Sequence, residues 1–299
     1  MNLGVPLGLS SGLCWGAADF FGGIQSRRLP ALTVAFWSQA AGALALAVAL
    51  AALAVGGSRP VATGVAWGVA GGVGSGLALA LFYRGLAEGT MSVVAPVSAC
   101  GAVVPVAVAL LTGDRPDALA GVGVVAAVTG VVLVSRTRPP SRGEQPPRGG
   151  PGRSGRVLAM ALGSAVGFGL FYVFVDAGTA SAAGTTGSRS SPLWVIAGAR
   201  ASSLVMLSMI ALVGRRSALR WPGRRIGPVA LVGIGDTGAN LLFAYAATTG
   251  SLAVVGVLGS LYPVATVVLA RWLLGERLSG GQNAGVVLAL TGVGLLAAA

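Results

Sequence analysis

The chain carries the same series of sequence elements twice, at a constant separation. Gly113-Asp114-Arg115 lies near the middle of the chain, and Gly275-Glu276-Arg277 follows 162 residues later. Because long apolar runs fill both halves, we expect the two halves to share one fold. Two copies of one helical bundle are the usual architecture of secondary transporters, with the site where the copies meet. The other elements that recur at this separation are Gly123-Val124-Val125 with Gly285-Val286-Val287, and Thr129-Gly130-Val131 with Thr291-Gly292-Val293.

The composition assigns these runs to a membrane. Hydrophobic residues make up 55% of the chain and charged residues only 9%, whereas about a quarter of the residues in a soluble domain are charged. The apolar runs are about twenty residues long, which is the length that a helix needs to cross the hydrocarbon core. Backbone groups in lipid must be paired within the chain, so the sequence predicts an all-α integral membrane protein.

Ten apolar runs are present, five before and five after a segment rich in Arg, Pro and Gly. They predict ten transmembrane helices arranged as two inverted five-helix repeats, because an odd number of helices makes the second repeat enter the membrane upside down. The predicted helices span residues 3–24, 32–55, 61–86, 91–112, 118–135, 157–177, 192–213, 226–248, 252–274 and 281–298.

The same pattern divides the chain into a first repeat at residues 1–135, a linker at 136–156 and a second repeat at 157–299. The linker contains Pro139-Pro140 and Pro146-Pro147, and this composition predicts a flexible, unpacked segment. The stretch at residues 178–191, rich in Gly, Ser, Thr and Ala, is predicted to be a second mobile loop.

The charge pattern favours lipid as a partner and gives an orientation. The net charge is +12, and all 20 basic residues are arginines. They lie mainly between the apolar runs, which indicates contact with lipid headgroups and not nucleic-acid binding. Sixteen arginines belong to the connections on one side, against Arg59, Arg115 and Arg189 on the other. Cytoplasmic loops are enriched in arginine, so this count places the linker in the cytoplasm and both termini outside.

With these features the chain resembles the EamA family of the drug/metabolite transporter superfamily. The resemblance rests on the five-plus-five repeat, on the Gly-acid-Arg turn before the last helix of each copy, and on the motifs Trp15-Gly16, Phe168-Gly169 and Leu261-Tyr262-Pro263-Val264. It implies a ten-helix carrier of small metabolites, often amino acids or related compounds. Members of the family frequently move these compounds out of the cell. The resemblance also implies cytoplasmic termini, against the arginine count. Asp114 stands where the family more usually has Glu.

Three charged residues stand out within predicted helices, namely Asp19, Arg200 and Asp236. A charge within the membrane is costly and usually faces the bundle interior or a wet cavity. Asn240 follows Asp236 by one turn, so the two share a helix face. The repeat aligns Gln39 with Arg200.

The charges allow two interpretations. In the first, Arg200 binds an anionic group of a substrate, such as a carboxylate, because its fork contacts two oxygens at once. Asp19 or Asp236 would then hold a cationic group or a coupling proton. In the second, Arg200 and Asp236 neutralise each other and hold helices together, and Asp19 lies at the headgroup boundary.

Aromatic residues at helical spacing extend the candidate site. Trp15 lies four residues before Asp19, and Tyr172 lies four after Phe168. With Tyr262, these residues could form the wall of a cavity that attracts an amine by cation–π contact. The alternative is ordinary packing or an interfacial belt.

Other motifs have structural interpretations. The row Gly64, Gly68, Gly72 and Gly76 predicts a close helix contact. Prolines in the fourth and ninth helices predict kinks. The acid of each Gly-acid-Arg turn is predicted to favour the dipole of the helix that follows, and Arg84 with Glu88 is predicted to form an exposed ion pair.

The sequence as a whole predicts a secondary carrier for a small polar or amphipathic metabolite, an amino acid or amine, working by alternating access in the cytoplasmic membrane of a bacterium. A proton is a candidate coupling ion. A monomer or a homodimer would serve. No catalytic cluster and no nucleotide motif are present, and with no His and two scattered cysteines we expect no metal, no cofactor and no enzymatic activity. A lipid-handling or structural membrane protein is the alternative.

Overall fold

The computed structural model describes residues 3–55, 60–113, 118–135, 151–186, 191–213, 219–249, 258–259 and 261–298. These residues form helices and the turns that join them, and no strand occurs among them. The helices are α1 (Gly4–Ser26), α2 (Ala31–Val55), α3 (Ala62–Glu88), α4 (Met91–Ala99), α5 (Val103–Leu111), α6 (Ala118–Ser135), α7 (Pro151–Thr186), α8 (Ser191–Val213), α9 (Ile226–Thr249), α10 (Tyr262–Leu274) and α11 (Gly280–Ala298).

One helix departs from the prediction at both ends. Helix α7 begins at Pro151 and continues to Thr186, so the end of the predicted linker and much of the predicted loop at 178–191 are helical. Proline suits the first position of a helix because its φ angle is preset and its missing N–H would be unpaired there. At the other end, Gly178 packs on Gly64 and Trp67 of α3, so tertiary contact overrides a loop-like composition. The predicted flexibility of residues 136–150 concerns a stretch outside the described residues.

The predicted break in the fourth helix is present. A short 3-10 turn, Cys100–Ala102, separates α4 from α5. It lies between Pro96 and Pro105, neither of which can donate the backbone hydrogen bond that continues an α-helix. Pro263 lies in the first turn of α10, where the described helix begins, and not within a continuous helix.

Six described helices are long and apolar enough to cross a membrane, by length and composition. Three shorter apolar helices accompany them. The count of ten crossings remains a prediction. The six candidate spans are Ala31–Ala52, Ala62–Glu88, Met91–Val108, Ser154–Ala182, Pro192–Val213 and Gly223–Phe243, and the shorter helices are Ala118–Leu133, Tyr262–Leu274 and Gly280–Leu296.

The two halves contact each other with their roles exchanged. Helix α3 of the first half packs on α7 and α8, and the corresponding α9 of the second half packs on α1 and α2. Likewise α4 packs on α7 while α10 packs on α1, and the last helices of the halves, α6 and α11, pack on each other. This exchange is the contact pattern of a two-fold axis between the halves.

Side chains repeat the same relation. The rings of Trp15 and Phe243 lie 5.6 Å apart between α1 and α9. Their counterparts Phe168 and Phe82 lie 5.8 Å apart between α7 and α3. The two aromatic contacts therefore occupy equivalent places in the two halves.

The glycine row of α3 makes the predicted close contact, and its partner is α8. A Cβ atom on Gly68 would meet the carbonyl of Val195, and one on Gly72 would meet the carbonyl of Ala199. The equivalent contact between α9 and α2 places Gly233 against the carbonyl of Ser38. Small residues allow such close backbone approach in membrane bundles, where helix association relies on packing.

The apolar core is concentrated toward one end of the bundle. We call this end the arginine face: α1, α3, α8 and α10 end there, and α2, α4, α7 and α9 begin there. The largest wholly buried side chains near this end are Phe20, Phe82, Leu86, Met91 and Val94. They come from the last turns of α1 and α3 and from the start of α4, so they close the bundle at that end.

Candidate functional site

Three polar side chains from three helices meet in the interior of the bundle. The guanidinium of Arg200, on α8, donates one hydrogen bond to the Oε1 atom of Gln39, on α2. It donates a second to the Oδ2 atom of Asp236, on α9. The side chain of Arg200 is 9% exposed and that of Asp236 is 32% exposed, so the cation is enclosed and the carboxylate is partly accessible. The structure thus brings together three of the residues predicted from the sequence.

This cluster straddles the two-fold axis. Gln39 and Arg200 lie 161 residues apart and occupy equivalent positions on the second helices of the two halves. Their direct hydrogen bond joins those helices where the halves face each other. The frame is therefore symmetric at this point while the charge is not, since only the second half supplies a cation here.

Asp19 lies in the interior near this cluster. Its carboxylate is near enough to that of Asp236 for the two negative charges to repel each other. Both carboxylates also lie near the side chain of Tyr172. Asp19 is half-buried, and within the described part of the chain it forms neither a hydrogen bond nor an ion pair. Its neighbours Tyr172 and Asp236 belong to α7 and α9, so Asp19 faces the interior of the bundle.

Asn240 is placed differently from the other candidates. Its side-chain amide donates to the backbone carbonyl of Asp236 at 2.7 Å, one turn back on the same helix. It shares the predicted face of α9 with Asp236, but its hydrogen bond goes to the backbone of its own helix and not to the carboxylate.

The aromatic candidates Tyr172 and Tyr262 lie near Asp19. Tyr172 is 45% exposed although its electrostatic neighbours Asp19, Asp236 and Tyr262 come from three other helices. The ring of Trp15 packs instead against that of Phe243 on α9.

Phe243 was not predicted from the sequence. The available signal was positional: it corresponds to Phe82 in the first half and follows Asn240 by three residues, on one face of α9.

The arginine face is closed by one carboxylate. The two oxygens of Glu276 accept hydrogen bonds from the backbone N–H groups of Met91 and Ser92, at 3.0 and 2.9 Å. The same carboxylate pairs with Arg27 at 3.3 Å, and Arg27 also donates to the carbonyl of Leu86 at 3.4 Å. Glu276 thereby joins α1, α3, α4 and the turn after α10.

This arrangement corrects the predicted role of the Gly-acid-Arg turn. Glu276 caps α4 of the first half and not the helix that follows it, α11. The N-terminus of α11 is capped locally, by reciprocal hydrogen bonds between Ser279 and Gln282 at 3.1 and 3.3 Å, which form a capping box. Gly275 adopts φ +63° and ends α10, so the turn directs Glu276 away from its own helix. The equivalent Asp114 lies outside the described residues.

Glu88 forms a second charged cluster at the same face. The predicted pair with Arg84 is confirmed at 2.9 Å. Arg156, at the start of α7, adds a second ion pair to the same carboxylate at 2.7 Å. Both arginines are exposed, so screening by water keeps these pairs weak.

Two apolar grooves lie away from the polar cluster. One, of about 650 Å³, is lined mainly by α6 and includes Leu288. The other, of about 440 Å³, lies along the end of α8 at Met206, Met209, Ile210 and Val213. Neither contains a candidate site residue. Among the residues that the structure describes, no group of His, Cys, Asp and Glu could hold a metal ion.

Comparison with known proteins agrees with this architecture. The sequence model of the EamA-like transporter family matches residues 2–136 and again residues 155–298. The chain belongs to the EamA-like transporter family. The members of this family, which is part of the drug/metabolite transporter superfamily, are multi-pass membrane transporters of small molecules and not enzymes.

A solved structure supports the fold of this EamA-like chain. A crystal structure described only as that of a protein is 18% identical in sequence, with a TM-score of 0.62 over 98% of this chain and 95% of that one. At this identity, the likeness concerns the fold alone. A search of curated proteins returned no match to the chain.

Proposed function

We propose that this EamA-like chain is a secondary carrier that moves a small polar or amphipathic metabolite, an amino acid or amine, across the cytoplasmic membrane of a bacterium by alternating access. The observation that carries the proposal is the Arg200 cluster, where an enclosed cation meets Gln39 and Asp236 between the two halves. Binding sites of carriers built from inverted repeats lie at such an interface.

Arg200 is the proposed anchor for a carboxylate. Its guanidinium can bind two oxygens side by side, and in this structure it donates to Gln39 and Asp236. A substrate carboxylate would replace these internal partners. Because the exchange conserves hydrogen bonds to the cation, the buried Arg200 is not left without a partner.

Asp19 is the proposed partner for the positive end of the substrate or for a coupling proton. Its carboxylate lies in the interior without a hydrogen bond or ion pair in the described part of the chain. The walls that contain Trp15, Tyr172 and Tyr262 add aromatic faces, which attract ammonium groups. An amino acid or amine fits this combination of one cation, two carboxylates and an aromatic lining.

The described state supports access from one side. The arginine face is closed by the buried core and by Glu276, whereas Tyr172 remains 45% exposed. We propose that the cavity opens toward the opposite end of the bundle. An exchange of contacts between the two halves would then close that end and open the arginine face.

The second interpretation gives the Arg200–Asp236 pair a structural role only. It would suit a lipid-handling or structural membrane protein, and the apolar grooves on α6 and α8 are the observation that favours it. That interpretation predicts no soluble ligand for the polar cluster.

Thermal unfolding of the purified protein, measured with a panel of metabolites, distinguishes the carrier from the structural interpretation. A ligand that binds the folded protein raises its apparent stability. We expect a compound with both a carboxylate and an amine to raise the Tm of the parent and of Arg84→Ala, an exposed arginine paired with Glu88, but not that of Arg200→Ala. The carrier proposal fails if no compound in the panel stabilises the parent while both Arg200→Ala and Asp236→Asn only lower its Tm.

Proteoliposomes test the coupling proton separately. With the stabilising compound inside the vesicles, its release is measured with and without a pH gradient. We expect Asp19→Asn to bind the compound but to lose the response to the gradient. If Asp19→Asn transports with an unchanged response, Asp19 does not carry the proton.

A further inference from the structure

We propose that a surface at the arginine face, formed by Trp37, Arg220, Trp221, Arg224 and Arg225 and here called the Trp–Arg surface, binds the phosphate headgroup of an anionic phospholipid of the surrounding membrane. It uses no residue of the polar cluster, so its test stands apart from that of the proposed transport function.

The connection before α9 is fixed to α2 by an aromatic contact. The indole N–H of Trp37 donates to the backbone carbonyl of Arg220 at 3.2 Å. The rings of Trp37 and Trp221 lie 4.8 Å apart at an angle of 86°. An edge-to-face pair of this kind adds about 0.5–1.5 kcal/mol beyond the area that it buries. The surface is therefore held in one geometry.

The arginines of this surface have no counter-charge in the part of the chain that the structure describes. Arg220 and Arg224 are exposed and Arg225 is half-exposed, and none of them forms an ion pair with a described carboxylate. Three other arginines of this face do have a counter-charge: Arg27 pairs with Glu276, and Arg84 and Arg156 pair with Glu88. The Trp–Arg surface thus brings three arginines without an ion pair to a described residue together within six residues of sequence.

The position of the surface selects a lipid as its partner. Helix α9 begins at Ile226, directly after the 3-10 turn Gly223–Arg225, so the arginines lie at the end of a membrane-spanning candidate. Trp221 is 61% exposed beside them, and tryptophan prefers the headgroup level of a bilayer. Guanidinium groups bind phosphate with two parallel hydrogen bonds, and basic residues at this level attract anionic lipids.

Fluorescence quenching in reconstituted bilayers tests the proposal. The full chain is placed in vesicles of phosphatidylcholine that contain a rising fraction of brominated phosphatidylglycerol or brominated phosphatidylcholine, and the signal lost in Trp221→Phe is assigned to Trp221. We expect the brominated anionic lipid to quench Trp221 at about a fivefold lower mole fraction than the neutral one, since basic residues near the surface favour anionic lipid.

Two variants and one condition complete the test. We expect Arg220→Gln/Arg224→Gln/Arg225→Gln to lose this preference, and the matched control Arg84→Gln/Arg156→Gln to keep it. High salt applied to the parent protein should weaken the preference without any substitution. This measurement tests the proposal even if the triple variant fails to fold. Equal quenching by the two lipids in the parent would overturn the proposal. It would also be overturned if a folded triple variant kept the preference for the anionic lipid. Loss of the preference on adding soluble glycerol phosphate or an RNA oligonucleotide would assign the surface to a soluble anion instead.

Discussion

The carboxylate of Glu276 accepts a hydrogen bond from the backbone N–H of Ser92 at 2.9 Å, across 184 residues of sequence. A turn of the second repeat therefore caps a helix of the first. The negative charge lies at the N-terminus of α4, where the helix dipole favours it. This contact and the ion pair with Arg27 join three helices at the arginine face, so removing the charge should open that face.

We predict that Glu276→Gln increases access to the buried core from the arginine face. A neutral amide keeps one acceptor oxygen but loses the ion pair and one of the two N–H bonds, which should lower the free energy of unfolding by about 1–2 kcal/mol. Access is measured with a single cysteine at Val94, which is buried, in a background without Cys14 and Cys100. A membrane-impermeant thiol reagent should label it faster in the variant.

The matched control for this measurement is Glu88→Gln. Glu88 lies at the same face, but its partners Arg84 and Arg156 are exposed, so labelling at position 94 should not change. If Glu276→Gln lowers the Tm but leaves the labelling rate at position 94 equal to that of the parent, Glu276 acts only as a local helix cap.

We predict that exchanging the two residues on the axis preserves stability. Arg200→Gln alone leaves the carboxylate of Asp236 without its cation and should cost about 2 kcal/mol, below the loss of about 3–5 kcal/mol for a wholly buried pair because Asp236 is partly exposed. In Gln39→Arg/Arg200→Gln the cation returns from α2, which also packs on α9. Chemical denaturation should show the double variant to be more stable than Arg200→Gln.

The exchange also tests the position of the anchor. If Arg200 holds the substrate in one orientation, the double variant should fold like the parent but lose ligand-dependent stabilisation. A double variant no more stable than Arg200→Gln would show that positions 39 and 200 are not interchangeable partners of Asp236.

We predict that Gly72→Ala disrupts the packing of α3 on α8. A Cβ atom at this position would meet the carbonyl of Ala199 and the hydroxyl of Ser202, and overpacking of this kind costs about 1–3 kcal/mol. The control is Gly121→Ala on α6, where a Cβ atom would meet nothing within 4 Å. The yield of monodisperse protein and its Tm should fall for Gly72→Ala only.

We predict that the arginine face lies in the cytoplasm, as the count of arginines indicates. Ser154→Cys, at the exposed start of α7, should react with an impermeant reagent only after the cells are permeabilised. Thr112→Cys, exposed at the end of α5 on the opposite face, should react in intact cells. The reverse pattern would support the cytoplasmic termini that the family resemblance implies.

Much of the helical framework could be predicted because apolar length and the repeat determine it. The segment 118–135 coincides with α6, and the glycine row of α3 made the expected contact. Gln39 and Arg200 were paired by their spacing alone, and their hydrogen bond follows from the two-fold relation between equivalent positions.

The remaining features depend on tertiary contacts that local composition does not encode. The stretch after residue 177 reads as a loop, yet Gly178 can lie on Gly64 only if the helix continues. Glu276 precedes α11 in sequence, but the left-handed conformation of Gly275 directs it toward α4, and no local rule gives a partner 184 residues away. Phe243 was missed because a lone apolar aromatic in an apolar helix carries no signal of its own.

Among the contacts to which each half supplies the same helix, the one between α6 and α11 is the most extensive. A Cβ atom on Gly130 would meet Ala289, and one on Gly292 would meet Ala127, so the contact is symmetric about the two-fold axis. A motion that exchanges the contacts of the two halves would break and remake the pairs of α3 with α7 and of α1 with α9, but it would return this pair unchanged. The contact between α6 and α11 can thus persist in both states, and the other helices would rotate about this fixed pair.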